Sequence, residues 1–232
     1  MDVWRHYGLG LLCFFMTVAF YYFSKYCYQR KPILLFMPLM LAPLLLILLV
    51  IGLEIPYQTY MSDSHWLLWM LGPATVAFAI PVYDNRQLIA RHWLSMSIGV
   101  CVSVVAAVGS TVLLAQFFHL SELLQRSLAM RSITTPFAIE ATKSVGGQAD
   151  LTALFVVITG VIGMAVGESI LALLAIRSHL GKGASLGASS HGAGTAKAYQ
   201  IGSSEGVVAS MVMMIAGVVT VLIAPWVGPI FW

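Results

Sequence analysis

The chain has 232 residues, of which 59% are hydrophobic and 9% are charged, and its mean hydropathy is +0.90. A soluble domain carries about 25% charged residues, so this composition excludes a soluble enzyme, a secreted disulfide module and a disordered regulator. The formal charge of +3, with no basic run longer than two residues, gives no indication of nucleic-acid binding. We therefore expect an all-α, polytopic membrane protein that forms a single domain.

Motifs that carry enzymatic or metal chemistry are missing from the sequence. Cys13, Cys27 and Cys101 form no CxxC or Cys/His pattern, which predicts neither a metal site nor a disulfide framework. The sequence contains no HExxH, and the side chains of the adjacent Ser190 and His191 diverge rather than form a dyad. We expect no enzymatic activity and no cofactor.

Six apolar runs approach the length of about 20 residues that a helix needs to cross a bilayer. In chain order they are Tyr7–Phe23, Ile33–Leu53, Trp66–Val82, Trp93–Phe118, Leu151–Ile176 and Val207–Trp232. Pro38 and Pro43 are expected to kink the second run, and Pro73 and Pro81 to break and close the third. We interpret residues 1–92 as supporting spans and residues 93–232 as the core of the protein.

Basic residues lie in alternate connections between these runs. They are Lys25, Arg30 and Lys31, then Arg86 and Arg91, and then Arg177 and Lys182. Short basic loops lie on the cytoplasmic side of a membrane. All three loops share one side only if segment 119–150 returns to the face that it left, and this places both termini on the outer side.

Segments 119–150 and 177–206 are too polar for plain spans and too rich in small residues for ordinary loops. Seven of the 26 residues from Gly181 to Gly206 are glycine. Non-helical backbone is tolerated at membrane depth only where protein or a water-filled cavity surrounds it. The sequence therefore predicts two broken or re-entrant helices.

The two segments form a weak internal repeat. The offset that aligns Thr135 with Thr195 also pairs residues 138, 144 and 146 with identical residues at 198, 204 and 206, and ITGVI at 158–162 matches IAGVV at 215–219. Because one span separates the segments, they enter from opposite faces. This inverted repeat is typical of secondary transporters, which bind their substrate at mid-membrane.

The first segment contains a helix start at its break. Proline is favoured in the first turn of a helix and threonine just before it, so Thr134, Thr135 and Pro136 predict a helix that begins at the break. Such a terminus suits a carboxylate, and Arg131 adds positive charge. The alternative is that the threonines only cap a kinked helix.

The second segment repeats this pattern with glycines. Gly194 allows close approach of a ligand, Thr195 is a candidate helix cap, and His191 is a candidate to bind a carboxylate or relay a proton. The alternative for His191 is a structural role. Lys197 is a candidate to face an anionic substrate.

Charged residues inside the membrane need partners. Glu140 or Glu168 is the expected resting partner of Lys197. The alternatives are that Glu140 pairs with Lys143 three residues on, and that both lysines extend to an interface. The candidate substrate-binding set is therefore Arg131, Thr134, Thr135, Pro136, Glu140, His191, Gly194, Thr195 and Lys197.

The chain resembles the LrgB/CidB family of bacterial membrane proteins. The resemblance rests on RSITTPFAIEATKSVGG from Arg131, on ASSHGAGTAKA from Ala188 and on the closing stretch from Glu205 to Pro225. It extends in order and spacing over nearly the whole chain. The family pattern has a lysine before its Ser-x-Thr-Thr-Pro core, and Arg131 stands there in this chain and keeps the charge.

The resemblance implies one of two functions. Family members are described as holin/antiholin-like regulators of murein hydrolase export and cell lysis, acting with a smaller LrgA/CidA-type membrane protein. They also resemble the C-terminal half of the plastid glycolate/glycerate translocator, and bacterial pairs are linked to pyruvate movement. The residues favour transport of a small monocarboxylate such as pyruvate, glycolate, glycerate or lactate, because a holin needs no capped helix breaks with cations at mid-membrane.

The polar segments also bear on assembly. Lipid cannot be their whole surrounding, and the glycine ladder at 160–167 offers a close-packing face. We expect a homo-oligomer in the bacterial inner (plasma) membrane, joined by an LrgA/CidA-type small protein where one is present.

Overall fold

The computed structural model describes residues 2–77 and 79–232, and within them every regular element is helical. The predicted all-α membrane fold is confirmed. Four of the described helices are long and apolar enough to cross a membrane by length and composition: Leu9–Arg30, Arg86–Phe117, Ala149–Leu173 and Ser203–Phe231. The chain divides into two compact units, Met1–Ala74 and Thr75–Trp232.

The first unit is built around its N-terminal helix. It contains α1 (Asp2–Arg30), a 3₁₀ turn, α2 (Pro38–Gly52) and α3 (Tyr57–Trp69), and α1 packs against both α2 and α3. Gly10 makes the contact between α1 and α3 possible, because a Cβ there would overlap the side chains of Ser62 and Asp63.

The expected span Trp66–Val82 is divided among short helices. After α3 ends at Trp69, the chain forms α4 (Leu71–Ala77) and α5 (Ala79–Asp84), and Phe78 between them lies outside the described residues. Pro73 and Pro81 each occupy the first turn of a short helix, where the missing N–H of proline costs no hydrogen bond. These prolines therefore begin new helices instead of kinking one long helix.

The second unit contains three long helices and two hairpins. Its elements after α5 are α6 (Arg86–Phe117), α7 (Glu122–Ala129), α8 (Thr135–Val145), α9 (Ala149–Leu173), α10 (His179–Ile201) and α11 (Ser203–Phe231). Its main apolar core includes Val104 and Val112 of α6, Ala138 of α8 and Val212 of α11. α6 is kinked at His92, where φ is −119° and ψ is 19°.

Helices α7 and α8 form a re-entrant hairpin, which we call the first hairpin. Arg126 Nη1 donates to the Val145 carbonyl at 2.8 Å, and the Gln148 N–H donates to Ser127 Oγ at 2.9 Å, so the end of α8 lies beside α7. Gly146 ends α8 in the left-handed conformation (φ 73°), which favours glycine. The chain thus returns to the face that it left at the end of α6.

Helix α10 is a second re-entrant hairpin. It breaks at His191, where φ is 39° and ψ is −118°, into a first arm (179–190) and a second arm (192–201). The arms pack together, because a Cβ at Gly194 would overlap the Leu186 carbonyl eight residues back. At the base, His179 Nδ1 lies 2.6 Å from Glu205 Oε1 in the first turn of α11.

The hairpins enter from opposite faces because α9 crosses between them. Each long helix that follows a hairpin packs on the other hairpin: Gly160 of α9 lies against His191, and a Cβ at Gly217 of α11 would overlap the Phe137 ring of the first hairpin. This exchange of contacts is the arrangement that the predicted inverted repeat requires. The starts of α6 and α10 share one face, which we call the basic face after Arg86, Arg91, Arg177 and Lys182.

Candidate functional site

The tips of both hairpins lie beside the middle of α9. Arg131 at the first tip donates from Nη1 to Thr159 Oγ1 at 3.0 Å. At the second tip, His191 Cε1 lies only 2.9 Å from the position that a Cβ on Gly160 would take. Since Thr159 and Gly160 are consecutive and near the centre of a 25-residue helix, the two tips meet at about half the depth of the membrane.

A cavity of about 370 Å³ opens at this level. Its lining comes from α7, the first tip, α9 and the second hairpin: Leu128, Arg131, Phe155, Ile158, Thr159, Ile162, Gly163 and Ser189. Among the described residues, Arg131 forms no ion pair with a carboxylate. A guanidinium has five N–H donors, so its hydrogen bond to Thr159 leaves donors and a full charge available to an anion.

His191 occupies the second tip in an unusual conformation. It is 5% exposed, and its buried Nε2 has no hydrogen-bond partner within the described part of the chain. A positive φ is unfavourable for a non-glycine residue and persists where the surrounding structure enforces it. The Nε2 nitrogen is free to bind a ligand or water.

The helix start predicted at the first tip is present. α8 begins at Thr135, Pro136 lies in its first turn, and the Thr134 carbonyl accepts from the Ala138 N–H at 2.9 Å. The Thr134 side chain makes no capping hydrogen bond, although it is buried. Capping therefore does not explain this threonine, and the first-turn N–H groups of α8 lie at the tip.

Thr195 is not the helix cap that the sequence predicts, and this prediction was wrong. The second arm begins directly after His191, so Thr195 lies within its first turn, and its hydroxyl donates to Met213 Sδ at 3.6 Å. The glycine after His191 lets the helix restart at once. Gly194 packs against the first arm of its own hairpin, a contact that closes the hairpin rather than exposing backbone to a ligand.

The structure places the other two charged candidates away from the tips. Glu140 pairs with Lys143 on the exposed side of α8, with Oε2 2.9 Å from Nζ. Lys197 Nζ lies 2.7 Å from Glu168 Oε2. Lys197 is six residues from the tip, about 9 Å along a helix. Of the alternatives for Lys197, pairing with Glu168 is the one observed, and Glu140 does not join the site.

The glycine ladder of α9 packs against the second hairpin. A Cβ at Gly163 would overlap Ser190, and one at Gly167 would lie 2.8 Å from Leu186 Cδ2. Glycines at this spacing let helices approach closely. The ladder is therefore occupied within the chain and does not supply a face for oligomer formation.

The chain matches one protein family over nearly its whole length. The model of the LrgB-like family matches residues 17–230. This chain belongs to the LrgB-like family. An uncharacterized protein of Bacillus subtilis, YwbG, is 36% identical over 94% of this chain and 97% of its own length. The antiholin-like protein LrgB of the same organism is 31% identical over 94% of this chain and 89% of its own length. No solved structure matches.

Two polar lining residues of this LrgB-like chain were missed by sequence reasoning. Thr159 lies in a run interpreted as a plain span, and Ser189 was passed over in favour of His191. The signal for Thr159 was its position in ITGVI, where a hydroxyl precedes a glycine at the centre of a helix. The 60-residue offset also aligns Arg131 with His191, so the two tips carry equivalent nitrogen-bearing side chains.

Proposed function

We propose that this LrgB-like protein moves a small monocarboxylate, such as pyruvate, glycolate, glycerate or lactate, across the bacterial inner (plasma) membrane. One observation carries the proposal: the Arg131 guanidinium, which has no carboxylate partner among the described residues, lies in a cavity at mid-membrane where two re-entrant tips meet. Secondary transporters bind substrates at such a position, between inverted repeats and at the ends of broken helices.

The energetics of a charge in the membrane support an anionic substrate. A charge at the bilayer centre costs about 2.5–3.5 kcal/mol on insertion scales, and an anion bound to Arg131 offsets this cost. The start of α8 adds about 0.3–1 kcal/mol for an exposed anion and up to ~2 when the anion is partly buried. Phe155, Ile158 and Ile162 supply an apolar wall for a short carbon chain.

Transport by this site requires that it open to one face at a time. Each hairpin enters from its own face and reaches only to the middle of α9. In the proposed cycle, displacement of the second hairpin opens the site to the basic face, and displacement of the first opens it to the opposite face. The carboxylate stays beside Arg131 while access changes, and Thr159 holds the guanidinium in place.

Counterflow in proteoliposomes tests the proposal. Purified chain is reconstituted with unlabelled pyruvate, glycolate or lactate inside, and uptake of the labelled acid is followed. We expect Arg131→Gln to lower uptake at least tenfold and Arg131→Lys to retain a measurable part of it. Lys143→Gln is the matched control, since Lys143 is an exposed cation paired with Glu140. Equal uptake by Arg131→Gln and the control would overturn the proposal.

A second candidate function is antiholin-like regulation of murein hydrolase activity together with an LrgA/CidA-type small protein. The observation that favours it is the relative named antiholin-like protein LrgB, which is 31% identical over nearly the whole chain. Murein hydrolase activity and lysis of bacterial cells are compared with and without the chain and its small partner. A change in hydrolase activity that survives Arg131→Gln, while uptake is absent from the unsubstituted protein, favours this function.

We also propose that a second copy of the chain covers the Arg131 cavity. Ile158 and Ile162 at its margin are exposed, and a polar cavity at mid-membrane is unfavourable against lipid. Native mass measurement in nanodiscs should find a homo-oligomer. A single-chain species with full uptake contradicts the proposed homo-oligomer. A small protein found in stoichiometric amount would be the partner in place of a second copy.

A further inference from the structure

The first arm of the second hairpin has two contrasting sides. On the α9 side, Gly163 and Gly167 are in close contact with it. On the α6 side, small residues recur at Ser95, Gly99 and Ser103, yet a Cβ at Gly99 would meet no atom within 4 Å. Small residues on neighbouring membrane helices normally let the helices touch. Around Gly99, α6 and the arm stand apart.

A cavity of about 300 Å³ fills the space between them. Its lining on the hairpin consists of small residues and one leucine, and α11 closes the far wall: Leu180, Gly181, Ala184, Ser185, Ala188, Val208 and Val212. On α6 it runs from His92, at the kink, to Ser103. Those twelve residues span about 16 Å, half of a hydrocarbon core of about 30 Å.

The inner end of this cavity leads to the hairpin tips. Ser103 and Ala188 also line a second, small cavity whose other walls include Met130, Ser132 and Ile133 at the first tip. The residue after Ala188 is Ser189, which lines the Arg131 cavity. One layer of helix at residues 188–189 thus separates the cavity on α6 from the candidate binding site.

The outer end of the cavity lies at the basic face. Arg91 precedes the lining residue His92, and Lys182 follows the lining residue Gly181. Arg86 and Arg177 lie at the same ends of α6 and α10. The acidic residues near this face are Asp84 and Glu205, and the Glu205 carboxylate is bound to His179. A mouth rich in cations raises the local concentration of anions.

We propose that this cavity is a water-filled vestibule through which a small anion passes between the basic face and the hairpin tips. The proposal rests on the proposed function and adds a route to it. Ser95, Ser103 and Ser185 give water hydrogen-bond partners along the walls, and a cavity of this volume with polar groups holds water. Ala188 and Ser103 form the barrier at the inner end of this cavity.

Thiol accessibility tests the vestibule. In a background with Cys13, Cys27 and Cys101 replaced by alanine, Ser185→Cys places a thiol on the cavity wall, and Ile98→Cys is the control. Ile98 is exposed on α6 and is not part of the lining. A charged, membrane-impermeant methanethiosulfonate is applied to inside-out and right-side-out vesicles, and labelling is read by a mass tag on gels.

We expect the Ser185→Cys thiol to react from the basic face at least tenfold faster than the Ile98→Cys thiol, and labelling to block carboxylate uptake. Failure to label from the basic face, or faster labelling from the opposite face, overturns the vestibule. If the labelled protein takes up carboxylate at an undiminished rate, the vestibule is not the route of transport. If the unlabelled protein moves no carboxylate, the proposed function falls, and the labelling pattern alone still decides whether water enters this cavity from the basic face.

Discussion

The two hairpins share an architecture and differ in the chemistry that holds them. The first contains, besides the Arg126 contact with Val145, a buried network of uncharged groups: Thr142 Oγ1 donates to Thr152 Oγ1 at 3.0 Å, and Thr152 Oγ1 donates to the Ser127 carbonyl at 3.0 Å. The second is held by two ion pairs, His179 with Glu205 and Lys197 with Glu168.

The two kinds of interaction differ in how readily they open. Buried hydroxyl networks are costly to open because each unpaired group loses its hydrogen bond away from water. Ion pairs with an exposed member exchange readily with water and are screened by salt. His179 is 73% exposed and Lys197 pairs with a largely exposed Glu168. We therefore expect the ion pairs of the second hairpin to open more readily than the hydroxyl network of the first.

Filling the glycine ladder should have the largest effect. Gly163→Val overlaps Ser190 and pushes the second hairpin from α9, and overpacking of this kind costs about 1–3 kcal/mol. We expect carboxylate uptake to fall more than tenfold and the melting temperature in detergent to drop. Gly109→Val is the control, since a Cβ there meets no atom within 4 Å. Normal uptake by Gly163→Val would show that this packing is dispensable.

Opening the hydroxyl network should destabilise the first hairpin. Thr152→Val leaves the Thr142 hydroxyl and the Ser127 carbonyl without this partner, and an unsatisfied buried group costs about 1–3 kcal/mol. Thermal unfolding of Thr142→Val, Thr152→Val and the double variant measures it. We expect the double variant to lose less than the sum of the single losses. Simple additivity would mean that the two hydroxyls act independently.

The tips should respond unequally to removal of a hydroxyl. Thr135→Val changes the start of α8 at the tip, whereas the Thr195 hydroxyl already donates to Met213. With helix-end stabilisation of about 0.3–1 kcal/mol at stake, we expect Thr135→Val to raise the concentration for half-maximal uptake about two- to fivefold. Thr195→Val should change it less. The reverse order would place the anion at the second tip.

The ion pair of the second hairpin should contribute least to stability. Lys197 and Glu168 are 25% and 59% exposed, so a double-mutant cycle with Lys197→Gln and Glu168→Gln should give about 0.2–1 kcal/mol, decreasing with added salt. Thermal unfolding at low and high salt measures it. A salt-independent coupling above this range would mean that the second hairpin is held as firmly as the first.

Polarity and helix-start chemistry were enough to predict both hairpins. Thr134 and Pro136 mark the first tip because their preferences act within a few residues. The second tip was harder to place, since glycines permit a break at several positions and packing against Gly160 selects His191. Thr159 was missed because a single hydroxyl barely changes the hydropathy of a span. The prediction of a single third span was wrong for a related reason. Hydropathy gives the length of an apolar run, but it does not tell whether a proline in that run begins a helix or interrupts one.

The contact between Phe137 and Gly217 has a consequence for biosynthesis. The second hairpin emerges from the ribosome after α9, the helix that receives its tip, is already made. The first hairpin emerges before α11, and Gly217, which contacts Phe137, is synthesised 80 residues later. Nascent chains that stop short of Gly217 therefore hold the first hairpin without its α11 support, and the membrane quality-control machinery should recognise them as incomplete.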